Sequence, residues 1–143
     1  EEWVYLLETR TNAEYLHGVA QINAVKGLIL LPDNWLCPLG ICFKHGLYVG
    51  INGYTNYAYH QTFNLEQWSK MEQAGAVFLP AADKRYSGVQ VNSTEFGYYW
   101  TSSKKYSYQS YCLYFHAEGL KISFYQDNHI GSSVRLVKDV VTE

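Results

Sequence analysis

Tyr98–Val137 reads YYWTSSKKYSYQSYCLYFHAEGLKISFYQDNHIGSSVRLV, and the alternation at its centre decides the fold. Tyr111, Leu113 and Phe115 interleave with Cys112, Tyr114 and His116, the period of two that marks a strand with one buried and one displayed face. Strands are expected at Tyr98–Ser102, Tyr111–Phe115, Leu120–Phe124 and Ser133–Val137. Short connections make them antiparallel, with Glu118-Gly119 as a tight turn. Tyr111, Leu113, Phe115, Val134 and Leu136 are expected to hold the segment to the core. Seven of the chain's fourteen tyrosines lie in the stretch, among Ser, Lys, Gln, His, Asp and Asn. Tyrosine offers large, rigid, amphipathic contact area at low entropy cost, and small polar residues adapt around it. The expected contact residues are therefore Lys104, Lys105, Tyr106, Tyr108, Tyr114, His116 and Tyr125, with Asp127, Asn128 and His129 beyond them. The alternative is a set of half-buried sheet tyrosines with wet hydroxyls.

Working outward, Glu1–Arg10 spaces Trp3, Leu6 and Leu7 as one face of a short helix that Thr11-Asn12 would end. Val19–Val25 alternates like a strand, and Lys26-Gly27 is the expected turn into Leu28–Leu31, a core strand that Pro32 stops. Trp35–Gln61 keeps no period and reads as an irregular loop, whose Tyr48–Tyr59 part is expected to flank the contact residues. Thr62–Gly75 carries a helix, with Asn64 as N-cap, Gln67 completing a capping box, a stripe of Leu65, Trp68 and Met71, and Gly75 as the stop. Val77–Leu79 before Pro80 is a further core strand. Asp83-Lys84-Arg85 reads as a solvated run, Val140–Glu143 as a frayed end, and the four tryptophans as core. The sum is a single α+β domain over 1–143.

Composition narrows the function. Net charge is −2 and charged residues make up 17% of the 143, so the chain lacks the basic face that phosphate neutralisation requires, and no nucleic acid is expected. No apolar run approaches the ~20 residues that span a bilayer, so direct membrane insertion is not expected. The opening Glu-Glu-Trp reads as the middle of a helix, so an upstream part with any export signal is expected to precede it. Among three cysteines, Cys37 and Cys42 are spaced to close a small loop in an oxidising compartment; buried or tolerated thiols are the alternative.

No motif frames the Ser, His and Asp residues for nucleophilic catalysis, and no phosphate-cradling glycine loop occurs. An enzyme is not expected. His116, His129 and Asp127 lack a metal-ligand spacing, so neither a metal nor another cofactor is expected. His17, His45 and His60 are isolated and read as surface or capping residues. Arg135, the one charge in an apolar terminal segment, is expected to close the fold through a carboxylate or carbonyl.

Five blocks occur in order: GLILLPDNW (Gly27–Trp35), EQWSKMEQAGAVFLPAA (Glu66–Ala82), YYWTSS (Tyr98–Ser103), YCLYF (Tyr111–Phe115) and GSSVRLV (Gly131–Val137). In these the chain resembles the Fibrobacter succinogenes major paralogous domain family, over nearly its whole length. The resemblance implies a C-type lectin-like fold with two short helices, small antiparallel sheets and long irregular loops. It also implies export to the surface of Bacteroidetes cells, as part of a lipoprotein or adhesin, and a protein or glycan ligand on another cell or host surface. A similar fold serves the variable proteins of diversity-generating retroelements, whose C-terminal segment is a diversified ligand-binding surface; Ser103–His129 has that composition. Calcium-dependent sugar binding is not implied, because Asp33-Asn34-Trp35 has the wrong order and place. Formylglycine-generating chemistry is not implied either, because Cys112 stands alone in its region. The alternatives are a structural or adhesin-tip domain and a calcium-independent glycan-binding module.

Overall fold

In a computed structural model, residues 2–45, 61–90, 95–117 and 119–136 are described. The loop Tyr48–Tyr59, His60, Glu118, Val137 and the Val140–Glu143 end lie outside them. The described part is α+β, with short helices and three small sheets. The chain starts with α1 (Glu2–Val4), which widens into a π turn at Tyr5–Thr9. A hairpin of β1 (His17–Ile22) and β2 (Val25–Leu30) follows. After the long connection come β3 (Thr62–Phe63), α2 (Leu65–Gln73) and β4 (Val77–Pro80). A small hairpin, β5 (Arg85–Tyr86) and β6 (Val89–Gln90), precedes β7 (Gly97–Tyr106), β8 (Gln109–His116) and β9 (Gly119–Asp127).

The first sheet, in the order β3-β1-β2-β4, is the middle of three layers. Leu28 and Leu30 face one side with Val19 and Leu79, where Leu7, Tyr99, Leu113 and Phe115 cover them. Ile29 and Leu31 face the other with Ala20 and Ile22, under Phe63, Met71 and Ala76. A sheet covered on both faces needs apolar residues at consecutive positions, which is why Gly27–Leu31 reads as an unbroken apolar run. Asn64 caps α2 as expected, its Oδ1 accepting from the Gln67 N–H while the Gln67 side chain accepts from the Asn64 N–H. Of the helix stripe, Met71 is buried and Trp68 packs on Phe78, whereas Leu65 in the first turn is exposed.

The β1–β2 turn falls at Asn23-Ala24, not at Lys26-Gly27, with Ile22 opposite Val25. Both turn residues have positive φ, 48° and 68°, as a tight hairpin turn requires. Gly27 sits inside β2 because a Cβ there would strike the Leu79 carbonyl and the Phe78 ring. Glycine here marks a close approach, not a turn. Arg10 does more than end the first helical segment. Its buried guanidinium donates to the carbonyls of Leu6 (2.7 Å), Leu31 (2.8 Å) and Leu16 (3.2 Å) and to Asp33 Oδ1 (3.0 Å). This ties the N-terminal turns to the end of β2 with the charge satisfied. His17 is buried rather than on the surface, its Nδ1 2.9 Å from the Ala13 carbonyl oxygen, and burial holds its pKa below the ordinary value.

In the third sheet, β7-β8-β9, the expected alternation holds for Leu113 and Phe115, which are fully buried. Phe115 lies opposite Gly97 and stacks on Tyr99, 6.2 Å between ring centroids. The expected strand at Ser133–Val137 does not form over its described positions. Ser133 pairs with the edge of β7 by donating to the Tyr98 carbonyl (2.9 Å) and accepting from the Trp100 N–H (3.0 Å). Beyond Trp100, β7 bulges, so its edge offers no continuing ladder. Val134 (63% exposed) and Leu136 (86%) therefore stand out of the core, and Arg135 between them is exposed.

A Cβ at Gly97 would overlap the Phe115 ring, which has no room to retreat. Gly97→Ala should lower stability by about 1–3 kcal/mol through overpacking. Phe115→Leu alone should also destabilise, but in the double variant the two losses should not add. Urea unfolding of the four proteins checks this, and additive losses would show that the ring and the glycine do not share the space.

Candidate recognition surface

The expected contact residues separate into two groups at different places on the third sheet. The first gathers at the tip of the β7–β8 hairpin. Register slips twice along β7, between Trp100 and Lys104 and between Lys104 and Tyr106, so the strand carries extra residues that its partner does not match. Thr101 occupies the first irregularity, its Oγ1 donating to the Tyr111 carbonyl (2.9 Å) and accepting from the Ser103 N–H (3.1 Å). Such bulges raise the local twist and re-aim side chains. Beyond them Tyr106 (54% exposed) and Tyr108 (63%) stack at 6.0 Å with a 21° interplanar angle, flanking the turn at Ser107.

Lys105 joins this pair to the neighbouring strand. Its Nζ lies 3.1 Å from the Tyr125 ring centroid and 5.5 Å from that of Tyr106. An ammonium over the electron-rich face of a phenol is held electrostatically, by roughly 0.5–2 kcal/mol depending on solvation. Tyr125 itself lies opposite Tyr111 and is 43% exposed. Lys104 is exposed and opposite Ser110. Tyr106, Tyr108 and Tyr125 thus form one exposed aromatic patch around a half-buried Lys105.

Asp127 and Asn128 brace the hairpin turn that carries the patch. The Asn128 N–H donates to the Tyr108 carbonyl (2.9 Å) and its Nδ2 to the Ser107 carbonyl (3.2 Å), while Oδ1 accepts from Ser110 Oγ (2.8 Å). Asp127 Oδ1 accepts from Gln109 Nε2 at 2.8 Å. These two side chains therefore fix the turn. His129 sits apart, edge-on to Tyr86 at 5.8 Å, where the β5–β6 hairpin meets Gly131.

The second group holds Tyr114 and His116. Tyr114 packs against Tyr98 (4.9 Å), Phe124 (5.0 Å), His116 (5.2 Å) and Phe96 (6.1 Å, rings nearly parallel). Lys84 Nζ stands 4.9 Å over the Tyr98 ring. This is a half-covered aromatic cluster rather than an open display, because Lys84 and Phe96 lie against the Tyr98, Tyr114 and His116 rings at that end of the sheet. Asp83, within the run expected to be solvated, is buried with φ of 56°, its Oδ1 accepting from the Lys84 N–H. Phe96, Tyr98 and Phe124 were not among the expected contacts. The signal for Tyr98 was its two-residue offset from Trp100, but for Phe96 no local pattern exists.

Cys112, on the displayed side of the alternation, is fully buried, with Gln126 Nε2 3.5 Å from its sulfur and 3.0 Å from Ser132 Oγ. Burial pushes its thiol up to about 11, and it pushes Tyr99 up to about 12. Tyr98 and Tyr114 are raised as well, chiefly by burial, and share a hydrogen bond that favours ionisation of Tyr114 over Tyr98. On the opposite face, Trp3, Val4 and Glu8 with Thr101, Ser103, Tyr111, Ile122 and Ser123 line a groove of about 400 Å³. Tyr111, expected in the core, is half-buried in that groove wall.

Among the described residues, no group of three or more His, Cys, Asp or Glu side chains is arranged to hold a metal ion. No described helix is long and apolar enough to cross a membrane. No protein-family model matches the chain, and neither a characterised protein nor a solved structure shows significant similarity to it.

The raised acids give stability a defined pH dependence. Each is neutral when folded and ionises more readily when unfolded, so its contribution is complete below the unfolded value and lost as pH rises through the folded one. For Cys112 that window runs from 9.0 to about 11, and the tyrosines extend the loss upward from 10.0. The urea midpoint should fall steadily above pH 9. Cys112→Ala should start lower but decline less between pH 9 and 11. An unchanged slope in the variant would mean that Cys112 ionises alike in both states.

Proposed function

We propose that this chain is a non-catalytic extracellular recognition module of C-type lectin-like architecture, in which the β7–β8 tip is the contact surface. One observation carries the reading: Tyr106, Tyr108 and Tyr125 stand exposed around Lys105 on a turn braced by Asn128 and Asp127. Exposed rings held in one geometry lose little side-chain entropy on binding. Patches of Tyr with a nearby cation suit a protein surface or the apolar face of a sugar. The ligand is accordingly a protein or glycan on another cell or host surface, bound without a metal.

The two groups of contact residues have different parts in this reading. Lys104, Lys105, Tyr106, Tyr108 and Tyr125 meet the ligand, and Asp127 and Asn128 position them. Tyr114 and His116 belong to the aromatic cluster that supports the sheet. The resemblance to diversified lectin-like proteins fits this division, since exposed tip residues can change while Leu113 and Phe115 stay in the core.

Binding to arrayed glycans and to panels of bacterial and host cell surfaces would identify a ligand. Tyr106→Ala or Tyr108→Ala should then weaken it by about 30-fold or more, the loss at an anchor of roughly 2 kcal/mol. Thermal stability should stay near that of the parent, because both rings are exposed. If replacing Tyr106, Tyr108 and Tyr125 together by Ser leaves binding to every surface unchanged, the tip is not the contact and a structural role is the better account.

A further inference from the structure

The connection after β2 carries two thiols that the recognition surface does not use. The Ile41 N–H donates to the Pro38 carbonyl at 3.1 Å, closing a four-residue turn, and Gly40 has φ of 80°. Positive φ at the third position is the mark of a type II turn, which glycine adopts without strain. Chain reversal there sets Cys37 and Cys42 opposite each other, immediately outside the closing pair. Cys37 Sγ lies 3.1 Å from the Ile41 carbonyl oxygen. Standard peptide dimensions put that oxygen roughly 2.8 Å from the Cys42 Cα, so the sulfur is within about 6 Å of it. That places the Cys37 sulfur close enough to the Cys42 backbone for side-chain rotation to bring the two sulfurs toward each other. Both thiols are exposed, whereas Cys112 is buried.

We propose that Cys37 and Cys42 are a paired modification site that closes to an intramolecular disulfide on reaction with small external disulfides. The Cys37 thiolate attacks one sulfur of an oxidised glutathione-type molecule, and one glutathione thiolate leaves. The Cys42 thiolate then attacks the Cys37 sulfur of the mixed disulfide and expels the bound glutathione. The protein gives up two electrons, the oxidant gains two, and the two thiol protons pass to solvent. The same connection carries Trp35, Ile41 and Phe43, which pack against the α2 side of the central sheet. The closed ring therefore fastens the connection where it leaves the core.

Reduced, desalted protein treated with oxidised glutathione at pH 8 tests this, read by intact mass, thiol titration and peptide mapping. The expected product is a monomer about 2 Da lighter, with one bridged Cys37–Cys42 species and no retained adduct. Cys112 should titrate only after unfolding. Gly40→Val supplies the geometric control. Nothing lies within 4 Å of a Cβ at Gly40, so the change acts chiefly through the backbone. Disfavouring the positive φ should lower the ratio of bridge to glutathione adduct roughly tenfold. Stable adducts or intermolecular dimers from the parent protein would overturn the proposal. So would a Gly40→Val protein that closes as readily as the parent.

Discussion

Phe115 seated in the space left by Gly97 is the constraint on which the rest of the third sheet depends. A ring of that size is fully buried only because its cross-strand neighbour has no side chain. Burying such a side chain contributes roughly 1.5–3 kcal/mol, and here it also fixes register. With Gly97 opposite Phe115, Tyr99 must face Leu113, and the two join Val19, Leu28, Leu30 and Leu79 between the sheets. Register then determines which residues remain for the other face. Tyr98 falls opposite Tyr114 and Trp100 opposite Cys112. A slip of one residue would exchange the two sets and turn Leu113 and Phe115 away from the core between the sheets.

What the sequence made legible follows from which forces are local. The capping box at Asn64 and Gln67 and the core alternation of Leu113 and Phe115 were readable, because each rests on a spacing within a few residues. The β1–β2 turn was misplaced because Gly27 carries two meanings. Only the approach of Phe78, fifty-one positions later, shows that this glycine makes room for a neighbour. Asp83 and Cys112 were misread for a related reason, since their burial depends on segments arriving from elsewhere in the chain. Arg10 sits among ordinary helix-end residues, and its three carbonyl partners come from separate turns and strands. Val134 and Leu136 have strand composition, but composition cannot supply an edge to pair with.

The candidate surface shows the same division. Residue types identified a Tyr-rich display, and the backbone divided it. Alternation alone treats Tyr106, Tyr108 and Tyr114 alike, yet two bulges separate them. On the sheet side, Tyr114 is drawn into a cluster with Phe96, Tyr98 and Phe124 and is half-buried. Past the bulges, Tyr106 and Tyr108 are exposed, with no layer of the described residues above them. Bulges were not predictable from the sequence, because the Thr-Ser-Ser run at 101–103 suits strand, turn and bulge equally.

The energetic consequence concerns where the candidate surface can tolerate change. A residue packed on both sides cannot vary without a cavity or overlap, at costs of about 1–5 kcal/mol that a small domain would feel. An exposed tip residue has no such cost, provided its backbone is held by other groups. Here the holding is done largely by Asn128 and by Thr101, whose bonds run to main-chain carbonyls at Ser107, Tyr108 and Tyr111. Main-chain acceptors are present whatever side chain a position carries. These bonds thus hold the tip backbone whether or not positions 106 and 108 are tyrosine, so substitutions there should leave the core unaltered.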